Sequence, residues 1–139
     1  HSKLDADLRI VGAGIERASL EQLRDSLGLA DRIVFLGGVN DASLEAEYAN
    51  AHAFVSMDIG DFDITVIEAM SYGIPVVVAE DFDMTAIGED LPGVAVVKPD
   101  TASLAAALDA IPTMTLPNER TRAALTTITW EHLAAKSIG

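Results

Sequence analysis

The chain has 139 residues, half of them hydrophobic, which fits one domain with its own core and excludes an intrinsically disordered chain. It contains no cysteine, which excludes a disulfide framework and thiolate metal sites. The formal net charge is −13 and the nine basic residues are scattered, which argues against a nucleic-acid partner because phosphate binding requires clustered lysine and arginine.

The predicted secondary structure alternates strands with helices along the whole chain. The predicted strands are short apolar runs at residues 8–11, 33–36, 53–56, 76–78 and 94–97. The predicted helices lie at 19–27, 41–49, 64–72, 102–111 and 119–136, with a further short helix near 84–87. Leu20, Leu23 and Leu27 share one face of the first helix, and Asn40 or Asp41 caps the second.

This alternation predicts an α/β fold, a doubly wound, Rossmann-like parallel sheet of about five strands with helices on both faces. We treat residues 1–139 as a single domain. No apolar run approaches the length of a membrane span, no signal peptide is visible, and the absence of cysteine fits a reducing compartment. We therefore expect a cytoplasmic protein that does not span a membrane.

A short helix is predicted over 64–72, directly before a strand. Asp63 can cap its first turn, because a short side-chain oxygen accepts the free backbone N–H groups there. Gly73 can end it, because glycine enters the left-handed C-cap conformation without steric cost. Pro75 follows within the distance at which a helix cannot resume. The rest of the chain is organised around this helix-turn-strand unit.

Glu68 is the one charged residue inside this predicted helix. At helical spacing it lines up with Thr65 and Ser71, so a narrow polar stripe runs along an otherwise apolar helix. The stripe has two interpretations. It is either the solvated face of a helix packed on a sheet, or it presents a carboxylate to ligand hydroxyls just inside a helix N-terminus that favours anions.

Two glycine turns follow the first two predicted strands, where ligands of open α/β sheets bind. Gly12-Ala13-Gly14 is like the start of a dinucleotide-binding fingerprint, but Arg17 stands where the third glycine belongs and no acidic residue ends the next strand. This argues against a dinucleotide oxidoreductase and favours a strand-to-helix turn. The Gly37-Gly38-Val39 turn is either a tight connection or part of a ligand site.

Three aspartates, Asp58, Asp61 and Asp63, precede the helix and leave two alternatives open. Their oxygens could bind a divalent cation, although the stretch lacks the glycine-centred loop and twelfth-position glutamate of a calcium site. Otherwise they form an acidic loop whose last residue caps the helix. His52 and His132 have no partner pattern for a triad or zinc site. We assign no metal site and no catalytic residue.

The stretch around Glu68 resembles the donor-binding signature of the group 1 glycosyltransferases, which are GT-B enzymes that use nucleotide sugars. The residues that carry this resemblance are Phe62, Ile64, Glu68-Ala69-Met70, Gly73 and Pro75-Val76-Val77. The family signature has two glutamates, and Glu68 matches the second. The first falls on Gly60, and two glycines of the signature fall on Asp61 and Asp63.

Further pieces of the chain are similar to the same family in their order and spacing. They are residues 10–14, 27–37, 48–51, 54–55 and 130–131. Together with the signature they extend the resemblance over about residues 7–135, the C-terminal, donor-binding domain of the family.

The resemblance implies a retaining transfer of a sugar from a nucleoside diphosphate sugar to an acceptor held by another domain. The implied donor-binding residues are Phe62, Asp63, Ile64, Thr65 and Glu68 in the signature and Gly12, Gly14, Gly38 and Val39 in the two glycine turns. Glu68 would bind the ribose hydroxyls, and backbone N–H groups around Ile64 and Thr65 would meet the diphosphate. Asp63 would repel it. The nucleotide sugar is the donor substrate, and no cofactor is implied.

Some parts of the family structure are absent from this chain. The family's C-terminal domain opens with a strand, an arginine turn and a lysine-bearing helix, and an N-terminal domain binds the acceptor. Without them we expect the fragment by itself to be inactive. Removing the first, central strand from the order 3-2-1-4-5-6 leaves the flavodoxin-like order 2-1-3-4-5, in which Ile10–Val11 would pair beside Phe54–Val55.

A second hypothesis is a degenerate, non-catalytic glycosyltransferase-like module that supports an active partner, or an excised fragment. The departures from the signature at Gly60, Asp61 and Asp63 favour it. A flavodoxin-like receiver or nucleotide domain is a third option, but a receiver needs paired acidic residues at the end of its first strand, where Gly12 and Gly14 stand instead.

Overall fold

The computed structural model describes residues 5–57, 64–80 and 91–126. The strands are β1 (Leu8–Val11), β2 (Ile33–Gly37), β3 (Phe54–Ser56), β4 (Val76–Ala79) and β5 (Val94–Val97). The helices are α1 (Arg17–Ser26), α2 (Asp41–Asn50), α3 (Ile64–Ser71), α4 (Thr101–Ala110) and α5 (Glu119–Thr126), and a 3-10 turn over Ile111–Thr113 follows α4. The predicted elements within the described residues are all confirmed. The short helix predicted near 84–87 and the helix predicted beyond 126 lie outside them.

All strand pairs are parallel, as the sequence predicts. β1 pairs with β2, while β3, β4 and β5 form a second sheet with β4 in the middle. These pairs are three of the four that the order 2-1-3-4-5 requires. No ladder among the described residues joins β1 to β3, so the pairing of Ile10–Val11 beside Phe54–Val55, and with it the strand order, is not confirmed.

The chain divides into two units, which we describe separately. The N-terminal unit, Leu4–Ala49, contains β1, α1, β2 and α2, and the C-terminal unit starts at Asn50 and contains β3 to α5. The expectation of a single domain over residues 1–139 stays a prediction. No helix in the described part of the chain has the length and apolar character needed to cross a membrane.

The core of the C-terminal unit is built around β4. All four residues of this strand are buried, because it lies between two parallel neighbours. α3 adds Val66, Ala69 and Met70, each at most 1% exposed. The helix-turn-strand unit that stands out in the sequence is therefore the most deeply buried part of the described structure.

The N-terminal unit buries much less apolar surface. Tyr48 is the one large apolar side chain of the described residues 5–49 that belongs to the buried core. No residue of α1 is buried, and Leu20, Leu23 and Leu27 are 46%, 54% and 61% exposed. The apolar face predicted for this helix therefore lies largely at the surface.

Ion pairs join neighbouring elements of the N-terminal unit. Arg9 of β1 donates two hydrogen bonds to the Glu47 carboxylate of α2, at 2.6 and 2.7 Å. Arg32, just before β2, donates to Asp7 at 2.7 Å and to the backbone oxygen of Ala6 at 2.6 Å, just before β1. Because these side chains are partly or largely exposed, each pair adds little free energy to folding.

Asparagine and aspartate side chains begin two of the helices. Asn40 accepts a hydrogen bond from the backbone N–H of Ser43 at 2.9 Å and so caps α2, which selects Asn40 over Asp41. Asp100 caps α4 in the same way, through the backbone N–H of Ser103 at 2.8 Å. These hydrogen bonds satisfy N–H groups that have no partner within the helix.

Gly73 ends α3, as predicted. Its N–H donates to the backbone oxygen of Met70 at 3.0 Å, and the N–H of Ile74 donates to that of Ala69 at 3.3 Å. This pair of bonds is a Schellman motif, which satisfies the last carbonyls of the helix. The predicted N-cap, Asp63, lies outside the described residues.

α5 is attached to the turn before β5 by one buried side chain. Thr121 is 0% exposed, and its hydroxyl donates to the backbone oxygen of Pro92 at 3.0 Å. The Thr121 hydroxyl oxygen accepts from the N–H of Asn118 at 3.2 Å, while the Asn118 side chain accepts from the N–H of Thr121 at 3.4 Å. This reciprocal capping box begins the helix. Pro117 packs against Gly93, which belongs to the turn before β5.

Candidate functional site

Glu68 lies on the exposed side of α3. The residues that this helix buries are Val66, Ala69 and Met70. Thr65 is half-buried and Ser71 is exposed, with its hydroxyl donating to the backbone oxygen of Glu68 at 2.7 Å. The polar stripe predicted from the sequence is thus present, and a ligand can reach the Glu68 carboxylate from solvent.

The first turn of α3 carries two more of the predicted site residues. Ile64 begins the helix and is 44% exposed, and Thr65 follows it. The amino end of a helix favours anions through its dipole, and these two residues form the amino end of α3. Phe62, Asp63 and the rest of the aspartate cluster lie outside the described residues. Within the described ranges, no three histidine, cysteine, aspartate or glutamate side chains are grouped to hold a metal ion.

The structure brings the two glycine turns of the N-terminal unit together. Gly12, which follows β1, donates its N–H to the backbone oxygen of Gly37 at the end of β2, at 2.8 Å. Gly38 is exposed and Val39 is half-buried directly after it. These residues share the carboxyl edge of the β1–β2 sheet, the edge at which parallel sheets bind ligands.

Arg17 is a residue near these turns to which sequence reasoning gave no role. Its N–H donates to the backbone oxygen of Gly14 at 3.2 Å. Its guanidinium donates to the Glu21 carboxylate at 2.8 Å and to the backbone oxygen of Phe35 at 3.1 Å. The signal in the sequence is an arginine in place of the third glycine, followed by a glutamate four residues later.

The predicted site residues therefore form two groups, one in each unit. Glu68, Thr65 and Ile64 belong to the C-terminal unit, and the glycine turns belong to the N-terminal unit. The described structure shows the internal geometry of each group.

The basic residues of the N-terminal unit are paired with carboxylates. The pairs are Arg9–Glu47, Arg17–Glu21, Arg24–Asp25 and Arg32 with Asp5 and Asp7. The hydrogen bond from Arg9 and its positive charge hold the pKa of Glu47 below its ordinary value. A diphosphate would have to compete with these carboxylates for the arginines.

Comparisons with known proteins identify the family. A family model described as Glycosyl transferases group 1 matches residues 1–112. Over 82 residues the chain is 44% identical to the phosphatidyl-myo-inositol mannosyltransferase of Mycobacterium leprae, a match that covers 57% of this chain and 21% of that protein. The chain thus spans about a fifth of the length of this curated relative.

Two solved structures show the fold. The sucrose-phosphate synthase of Thermosynechococcus elongatus matches with a TM-score of 0.76 at 23% identity, over 94% of this chain and 36% of that one. The Anabaena protein HepE, solved in complex with UDP and glucose, matches with a TM-score of 0.73 at 20% identity, over 99% of this chain and 42% of that one. These matches show a Rossmann-like α/β fold of the GT-B type. With the family model covering residues 1–112, the chain belongs to the group 1 glycosyl transferases.

Proposed function

We propose that this chain is the nucleotide-sugar-binding half of a retaining glycosyltransferase, in which an acceptor is held by another domain. The observation that carries the proposal is the exposed Glu68 on α3, in a chain of the group 1 family. A relative named as a mannosyltransferase and a structural neighbour solved with UDP and glucose support a nucleotide sugar as donor. Absence of cysteine supports a cytoplasmic location.

The proposed role of Glu68 is to bind the ribose of the donor. An ionised carboxylate is an acceptor with two oxygens, so it can accept hydrogen bonds from two adjacent hydroxyls. The burial of Val66, Ala69 and Met70 anchors the helix and thereby fixes the position of the carboxylate. The first turn of α3, at Ile64 and Thr65, offers N–H groups to the diphosphate.

The glycine turns of the N-terminal unit belong to the proposed donor site because the family resemblance includes them. Gly12, Gly14 and Gly38 carry no side chain, so a flat ring can approach their backbone closely. Val39 offers a half-buried apolar side chain beside them. Phe62 and Asp63 stay part of the proposed donor site on the strength of the signature alone.

Sugar transfer also needs groups that stabilise the leaving diphosphate, and the proposal does not assign them to this chain. The leaving diphosphate must be stabilised by positive charge or oriented donors. The arginines of the described residues 5–49 are already paired with carboxylates, so we expect the bases for that step, like the acceptor site, to come from other parts of a longer protein.

The pairing of the arginines with carboxylates favours a second candidate function. In this function the chain is a degenerate module of the same fold that supports an active partner. Gly60, Asp61 and Asp63 replace residues of the signature, and two of these changes add negative charge where a diphosphate is expected. In this alternative the exposed Glu68 is only a solvated helix residue.

Calorimetric titration separates the two functions. The chain is titrated with UDP, GDP and ADP, with and without Mg²⁺, beside Glu68→Ala. Glu45→Ala, which removes an exposed carboxylate from α2, is the matched control. The donor-site proposal expects one nucleotide to bind in the wild type and in Glu45→Ala, independently of Mg²⁺, and to lose binding in Glu68→Ala.

The absence of binding at millimolar nucleotide by a folded wild-type chain would overturn the donor-site proposal and leave the interaction module. Equal binding by Glu68→Ala would keep a nucleotide site but remove Glu68 from it.

A further inference from the structure

The turn after β2 begins at a glycine with left-handed backbone, beside a break in the regular strand register. Gly37 has a φ of 72°, in the left-handed region that side chains avoid. The register of the β1–β2 ladder shifts between Ile10 and Val11, so that Val11 faces Gly37. The regular register therefore ends before Gly37, which is still joined to the β1 side by the hydrogen bond from the Gly12 N–H at 2.8 Å.

Two arginines of α1 bind the outer edge of β2. Arg17 donates to the backbone oxygen of Phe35 at 3.1 Å, and Arg24 donates to that of Ile33 at 3.4 Å. Alternate residues of a strand direct their carbonyls to the same edge, so the two arginines act on one row of oxygens. They lie seven residues apart, which is about two helical turns, and so share a face of α1.

The two arginines differ in which end of β2 they hold. Arg24 binds near the amino end, and its guanidinium lies 5.7 Å from the centre of the Phe35 ring. Arg17 binds at the carboxyl end, and one of its terminal nitrogens lies 2.9 Å from where a Cβ on Gly37 would be. Glu21 accepts from the Arg17 Nε at 2.8 Å and so orients the guanidinium.

We propose that Arg17 is a positioning residue that sets the Gly37–Val39 turn, and through it the affinity and base preference of the nucleotide site. This inference rests on the proposed donor-binding function. The guanidinium occupies the space beside Gly37 and fixes the carbonyl of Phe35, two residues earlier. Gly38 and Val39, which are proposed to line the nucleotide cleft, follow directly, so a shift of Gly37 moves both.

The test compares Arg17→Met with Arg24→Met. Methionine keeps an apolar stem of similar length and removes the guanidinium donors in both variants, so both lose one hydrogen bond from α1 to β2. Melting curves first show that each variant is folded. Hydrogen exchange is then measured at the Gly12 amide, whose N–H donates to Gly37, and calorimetry gives the affinities for UDP and GDP.

Arg17→Met is expected to speed exchange at the Gly12 amide, to weaken the better nucleotide about tenfold, and to change the ratio of UDP to GDP affinity. Arg24→Met is expected to leave all three within about twofold, since it acts at the other end of β2. Arg17→Lys, which cannot bind Phe35 and Glu21 with one flat group, is expected to fall between Arg17→Met and the wild type.

Unchanged Gly12 exchange in Arg17→Met would overturn the inference whatever the nucleotide data show. Faster exchange with unchanged affinities and base preference would also overturn it, because Arg17 would then only brace the sheet. If the folded wild type binds no nucleotide, the proposed function fails and the inference fails with it. That result is distinct from a failure of Arg17 alone, in which the wild type and Arg24→Met still bind.

Discussion

Each of the two units of this chain is stabilised internally by a different kind of interaction. The C-terminal unit buries a whole strand, β4, and the inner face of α3. The N-terminal unit has one large apolar side chain in the buried core of its described residues, Tyr48, and instead joins its elements through arginines. Both units carry parallel strands and helices, so the difference is in packing and not in the type of element.

This contrast predicts which of the two units unfolds locally more readily. Burial of apolar surface supplies most of the free energy of folding, at about 25 cal/mol per Å², while exposed ion pairs add little. Regions with few buried apolar side chains open most readily. In the proposal, the glycine turns and Arg17 lie in the more readily opened unit, and Glu68 stands on the well-packed one.

The largest effect is expected where Pro117, just before α5, packs on the turn that precedes β5. In Gly93→Ala the new Cβ would overlap the Cδ of Pro117 and lie 2.7 Å from its nitrogen, and the φ of 86° disfavours any side chain. We expect a loss of about 2–4 kcal/mol in the free energy of unfolding. Gly14→Ala, where nothing lies within 4 Å, is the control and should change stability by less than about 0.5 kcal/mol. Equal urea midpoints for the two variants would show that α5 is not packed on this turn.

The next largest effect is the loss of stability when a buried valine is shortened, compared with the same change at a partly exposed valine of the other unit. Val77 of β4 is 0% exposed, and Val34 of β2 is 38% exposed. Val77→Ala should cost about 2–3 kcal/mol, because it removes two methyl groups and leaves a cavity. Val34→Ala should cost less than about 1 kcal/mol, since the methyls it removes are partly in water already. Urea unfolding measures both, and a larger loss for Val34→Ala would reverse the comparison.

Thr121 provides a third measure of how tightly α5 is attached. Thr121→Val keeps the shape of the side chain but removes the hydroxyl that bonds to the backbone oxygen of Pro92 and to the N–H of Asn118. Its expected cost is about 1–3 kcal/mol. Thr121→Ser keeps the hydroxyl and should be closer to the wild type. Thermal unfolding of the two variants decides whether the hydrogen bonds or the methyl group matters more at this position.

The smallest effect is expected from an ion pair of the N-terminal unit. The Arg9 hydrogen bond lowers the pKa of Glu47 in the folded state, so the unfolded chain binds this proton more readily. The stabilisation is present above the ordinary glutamate pKa of about 4 and is lost as the pH falls through the lower, folded value. Glu47→Gln should therefore lose stability near pH 6 and differ less from the wild type as the pH falls below about 4.

Glu45→Gln, on the same helix, is the control for this last experiment. A constant difference between wild type and Glu47→Gln over the whole pH range would mean that the pair stabilises the fold through packing and not through charge.

The sequence by itself determined the type and order of the elements. Apolar runs of strand length, a cap at Asn40 or Asp41, and the helix end at Gly73 are local signals, and the structure confirms them, with Asn40 as the cap. The parallel pairing also followed from the alternation of strands with helices. The exposed position of Glu68 fits both interpretations that the helical spacing left open, a solvated helix face and a carboxylate presented to a ligand.

Only the tertiary structure decided which of these elements bury their apolar faces and what the isolated polar residues do. The leucines of α1 have the periodicity of a buried helix, yet they are largely exposed. Arg17 broke a glycine pattern in the sequence, and the structure shows that it binds β2. Nothing in the sequence indicates a role for Thr121, whose hydroxyl donates to the backbone oxygen of Pro92, 29 residues away. Helix caps and strand runs depend on neighbours in sequence, whereas burial and these hydrogen bonds depend on which distant segments meet, and no local pattern records that.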